Sequence, residues 1–80
     1  MERHKITEKI EPYLNQEDMT FVLAYLDAKE GYLKYPSPDN SFAMRCAFHD
    51  VFFVIKQPMV RGEISRQQFD DFIELIQEGL

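Results

Sequence analysis

The run Ser37–Pro58, SPDNSFAMRCAFHDVFFVIKQP, decides how the rest of the chain must be arranged. It opens as a helix start. Ser37 is a capping residue, Pro38 suits a first turn where its missing N–H is not needed, and Asp39 meets the positive end of the helix dipole. From Phe42 to Ile55 only Arg45, His49 and Asp50 are polar. A helix that is apolar on every side is buried on every side. The run therefore predicts a central helix from 38 to about 56, ending before Gln57-Pro58. The β-branched and aromatic residues at 51–55 also suit a strand, which leaves the end of this helix open.

Three flanking segments carry helical patterns. Residues 2–11 place Ile6 and Ile10 four apart, and Pro12 should end or bend that helix. Its Arg3, Lys5 and Lys9 alternate with Glu2, Glu8 and Glu11, as on a solvated, salt-bridged face. The next helix starts at Asn15, an N-cap with Asp18 at N3, and Leu14 can staple onto Met19. Met19, Val22 and Leu26 form one apolar stripe, Phe21, Tyr25 and Ala28 a second, and Gly31 reads as the stop. Residues 32–37 read as a connecting loop, since a lone strand there would lack a partner. Ser65 and Gln68 have capping-box spacing, and Ile64 can staple onto Phe69. Phe69, Phe72, Ile73, Ile76 and Leu80 then line one face of a last helix. The expected fold is all-α, a small three- to four-helix bundle around a central apolar helix, with residues 1–80 as a single helical domain.

Composition narrows the function classes. The chain has 80 residues, 45% of them hydrophobic, which is too apolar for a disordered segment. A net charge of −5 opposes phosphate neutralisation, so nucleic acid and anionic membrane surfaces are unfavoured partners. No run approaches the ~18 apolar residues of a membrane span, and the charged N-terminus does not read as a signal peptide. One cysteine, Cys46, cannot form an internal disulfide, which favours a reducing, cytoplasmic setting. Met1 leads to the expectation of a complete reading frame. Small acidic chains include inhibitors and regulators encoded by phages and mobile elements, a similarity of size and charge only.

Candidate chemistry is sparse. Cys46 and His49, three apart, could be a nucleophilic pair or half a zinc site, but structural zinc takes four ligands. The simpler reading is a buried cysteine and a histidine paired with Asp50 or Arg45. The run Gly62–Ile73 resembles the second half of an EF-hand. The ligand positions hold Gln57, Met59, Arg61 and Gln68, so it is not expected to bind calcium. The same run resembles the turn and start of a helix-turn-helix recognition helix, with Ser65, Arg66, Gln67 and Gln68 toward base edges. A long connection and the carboxylates beyond it count against that alternative, a DNA-binding regulator. No phosphate loop or serine–histidine–acid set is present, so no enzymatic activity and no cofactor is expected.

What remains is protein binding. Tyr32 and Tyr35 offer apolar area with a polar tip, and Asp70, Asp71, Glu74 and Glu78 form an acidic ridge. These six are the candidate partner-binding residues. The expected partner is another protein, with a basic surface to match the ridge. A homodimer is a further expectation, because one small core cannot cover so greasy a helix.

Overall fold

A computed structural model describes residues 2–80. Four helices run in order: α1 (Arg3–Ile10), α2 (Gln16–Lys34), α3 (Pro38–Val60) and α4 (Arg66–Glu78), with a 3-10 turn at Glu11–Tyr13 between α1 and α2. No strand occurs among the described residues, so the all-α expectation holds.

Local chemistry fixes most helix starts. The Asn15 side chain accepts the Asp18 amide at 2.7 Å, and Ser37 Oγ accepts the Asn40 amide at 3.1 Å. Ser65 and Gln68 form the complete capping box, with bonds of 3.0 and 2.8 Å. Pro12 converts the end of the first helix into the 3-10 turn.

Two helix ends differ from expectation. Gly31 does not stop α2, which runs on to Lys34. The stop is Pro36: a residue before proline is pushed out of the α region, and Tyr35 adopts φ −136°. Tyr32 is thus helical rather than part of a loop, and 32–37 form no strand. Asn40 ties the turn together, its Nδ2 donating to the carbonyls of Tyr35 (2.8 Å) and Gly31 (3.3 Å).

α3 likewise runs past Lys56 to Val60, with Pro58 inside its last turn. Proline's φ is compatible with a helix, and the lost bond is offset by burying the ring, which is fully enclosed. The true terminator is Gly62, at φ +79°. Its amide donates to the Met59 carbonyl (3.0 Å) and the Glu63 amide to the Pro58 carbonyl (2.8 Å), the paired bonds of a Schellman motif.

The core draws on all four helices. Ile6 and Ile10 of α1, Val22, Tyr25 and Leu26 of α2, Val51 and Ile55 of α3, and Phe69 and Ile76 of α4 make one buried cluster with Ile64. A chain of rings joins the elements: Tyr25–Phe48, Phe48–Phe52 and Phe52–Phe69, with centroids 5.7, 6.0 and 5.2 Å apart. Tyr13–Phe72, at 5.6 Å, adds a second link to α4. Arg3 fastens α1 to α2 through Asp27, Glu30 and the Leu23 carbonyl.

The expectation that α3 is enclosed on every side is not supported. Val51, Val54, Ile55 and Pro58 are buried, but Phe42 is 62% exposed and Phe53 65%. Cys46, expected in the interior, is exposed. α3 is amphipathic in its packing although not in its composition, because α2 and α4 cover only one side of it.

The glycines make a test. A Cβ at Gly62 meets no atom but must adopt a left-handed backbone; Gly62→Ala should cost roughly 1–2 kcal/mol. Gly31 lies in helix with open space around its Cα, so Gly31→Ala should stabilise by about 1 kcal/mol. A Cβ at Gly79 would collide with the Leu75 carbonyl oxygen and lie 2.8 Å from Ile6 Cδ1, and Gly79→Ala should cost roughly 1–3 kcal/mol through overpacking at the end of α4. Urea melts of the three variants check these signs; a stabilised Gly62→Ala would contradict the terminator assignment.

Candidate functional site

The acidic ridge forms as expected along α4. Asp70, Asp71, Glu74 and Glu78 are all exposed, opposite the face that buries Phe69 and Ile76. Their electrostatic settings differ. Asp70 is neutralised by Arg66, Nε to Oδ1 at 3.2 Å, whereas Asp71 accepts only from the uncharged Gln67, at 2.8 Å. Asp71, Glu74 and Glu78 line a shallow depression with Leu75 and Gly79. Asp71, Glu74 and Glu78 thus make no ion pair among the described residues. Glu78 stands in the last turn of a helix that has no basic residue there, and a carboxylate at that place opposes the helix dipole, while Asp71 and Glu74 stand in the middle turns.

The tyrosines divide. Tyr35 caps α2 and is 73% exposed, while Tyr32 is half-buried in the helix before it. No hydrogen bond, ion pair or ring contact joins either to the ridge among the described residues, so the six candidate residues make two patches. Sequence reasoning missed the outer side of α3, where Phe42, Phe53 and Val60 are exposed. Phe42, Cys46, His49 and Phe53 stand four, three and four apart, but with apolar residues on the other sides of the helix as well that spacing assigns no outer face.

The other constellations resolve into structure. His49 is exposed and makes no ion pair with Arg45 or Asp50 among the described residues. It borders a groove of about 180 Å³ with Tyr25, Met44, Arg45, Phe48 and Gln77, smaller than the roughly 300 Å³ at which ligand pockets begin. Burial pushes the Tyr25 phenol above its ordinary range. Among the described residues no group of three His, Cys, Asp or Glu side chains could hold a metal ion.

In the run that resembles a recognition helix, Ser65 and Gln68 are engaged in the capping box and Arg66 is held by Asp70. Arg61 donates to Glu63 Oε1 from Nε and from the guanidinium end, at 3.0 and 2.8 Å. That pairing holds the Glu63 carboxyl below its usual range. The basic groups nearest this helix start are therefore spent on neighbouring carboxylates. No helix is long and apolar enough to cross a membrane among the described residues.

Comparison with protein-family models, with curated proteins and with solved structures finds no match for this chain.

Two measurements check these placements. Replacing Asp71, Glu74 and Glu78 with Asn, Gln and Gln should leave stability within about 0.5 kcal/mol of the wild type, since all three are exposed and only Glu78 opposes the dipole; a larger Tm loss would show that the ridge holds the fold. In alkaline titration the Tyr25 phenol should ionise above its ordinary range. A raised phenol pKa means the native state keeps its proton longer than the unfolded chain. Its stabilising share is therefore whole below pH ~10 and declines as pH climbs through the native value. Tyr25→Phe should remove the late step in absorbance.

Proposed function

We propose that this chain is a small acidic interaction module that acts by binding another protein, as a regulator, inhibitor or adaptor, without catalysing a reaction. The observation that carries the reading is the set of three exposed carboxylates, Asp71, Glu74 and Glu78, which meet no cation among the described residues. Glu78, in the last turn, opposes the helix dipole, so the helix gains nothing for its own stability from that carboxylate. Local choices that work against the fold are characteristic of functional surfaces. The matching partner presents a basic patch to α4, with charge complementarity supplying orientation and association rate more than raw affinity. Tyr35, prominent at the α2–α3 turn, is a second contact point of the kind interfaces favour.

A cytoplasmic, reducing setting accords with a lone exposed thiol that has no disulfide partner within the chain. DNA binding through the α4 start is the weaker alternative, because Arg61 and Arg66 would have to leave Glu63 and Asp70 before meeting phosphate.

Affinity purification from host lysate with the wild-type chain and with the Asp71→Asn, Glu74→Gln, Glu78→Gln variant tests the reading. The wild type should retain a protein that the variant loses, with retention falling as salt rises. Equal retention by both would remove the ridge from the interface. Recovery of nucleic acid alone, lost on Arg66→Ala, would replace this reading with the DNA-binding one.

A further inference from the structure

The outer side of α3 carries a regular pattern. Asp39, Phe42, Cys46, His49, Phe53, Lys56 and Val60 succeed one another three and four residues apart in strict alternation, and all seven are exposed. That is the heptad spacing of a helix seam. Nothing among the described residues covers it: α2 and α4 pack on the opposite side, and α1 packs on α2 and α4. Phe42, Phe53 and Val60 are each more than 60% exposed, the last at 67%. Two phenyl rings on one helix face are a costly surface to leave in water.

We propose that the occupant of this seam is a second copy of the same chain, with the two α3 helices packed antiparallel about a twofold axis between Ala47 and Phe48. The seam is complementary to itself. Turned end for end about that midpoint, it meets its own copy with matched partners from Asp39 to Lys56, and Val60 overhangs at either end. Phe42 faces Phe53 of the second copy, Cys46 faces His49 of the second copy, and Asp39 faces Lys56 of the second copy. Each match occurs twice, as an isologous interface requires. In antiparallel helix pairs, residues on one flank meet the same flank of the partner. Arg45 therefore falls beside Phe52 of the second copy, and Asp50 beside Ala43 of the second copy. A parallel pairing fails on charge, since it would set Asp39 against Asp39 and Lys56 against Lys56. The helix is 23 residues long, about 34 Å at the usual rise, so the seam spans three heptads.

The seam is separate from the acidic ridge. α4 lies outside it, and the dimer presents two ridges. Pairing therefore raises avidity for a partner with repeated basic sites.

Sedimentation equilibrium of the full chain over a range of concentrations, with circular dichroism to confirm folding, tests the proposal. The wild type should dimerise reversibly. Phe53→Glu, which sets a carboxylate against Phe42 of the second copy, should weaken association at least about a hundredfold while the exposed site leaves the monomer fold intact. The direction is read by charge exchange. Lys56→Asp and Asp39→Lys should each weaken the dimer about tenfold by creating like-charge contacts, and the double variant should recover it. Cys46 should react quickly with a thiol reagent in dilute solution and slowly at concentrations where the dimer forms. A chain that stays monomeric at high concentration overturns the proposal, as does a dimer indifferent to Phe53→Glu. A dimer that the double exchange fails to restore overturns the antiparallel arrangement. Binding of a basic partner by a strictly monomeric chain would leave the function proposed above intact and remove only the dimer.

Discussion

The fold depends on the pairing of α2 and α3, which bury Val22, Tyr25, Leu26, Val51 and Ile55 in one core, and a chain of tilted and edge-to-face aromatic rings ties that pair to α4. Tyr25 reaches across to Phe48, Phe48 leads to Phe52 one turn on, and Phe52 leads to Phe69 of α4. Aromatic pairs in tilted and T-shaped arrangements add about 0.5–1.5 kcal/mol each beyond the area they bury. In an 80-residue domain, whose total margin is only about 5–15 kcal/mol, such a chain of contacts is a large share of stability. α1 then closes the remaining side with Ile6 and Ile10, which are fully enclosed.

The same arrangement leaves two surfaces open to solvent. Four helices of this length have too little surface to enclose the longest of them, so α3 can be covered on one side only. α4 turns its apolar face to α3 and its carboxylates to solvent. The electrostatics sort themselves accordingly. Basic groups near the α3–α4 connection are paired with adjacent acids, while the carboxylates further along α4 keep their charge uncompensated. The surface is thus divided into an acidic ridge on α4 and an apolar seam on α3.

Much of the fold was legible in the chain. The caps at Asn15, Ser37 and Ser65 are contacts between residues three apart, and such contacts do not depend on distant packing. The apolar face of α4 and the ridge opposite it come from a clean 3.6-residue period. Helix ends were harder to read. Gly31 and Gly62 look alike as residues, yet only Gly62 takes a positive φ. The difference lies in the neighbouring prolines. Pro36 ends α2 beyond Gly31, so the glycine itself stays helical, whereas the Pro58 ring is held in the α3 terminus by burial and leaves the stop to Gly62.

That the chain is helical, where its helices begin, and that α4 is acidic on its solvent side were all contained in the order of residues, because capping and periodicity are local properties. Which side of α3 is buried and which faces outward was settled by tertiary packing. Composition assigns no inner face to a helix that is apolar all round; that choice belongs to the packing of α2 and α4 against it. The exposure of Phe42, Cys46 and Phe53 is accordingly a consequence of where the neighbouring helices sit, and no reading of α3 alone contains it.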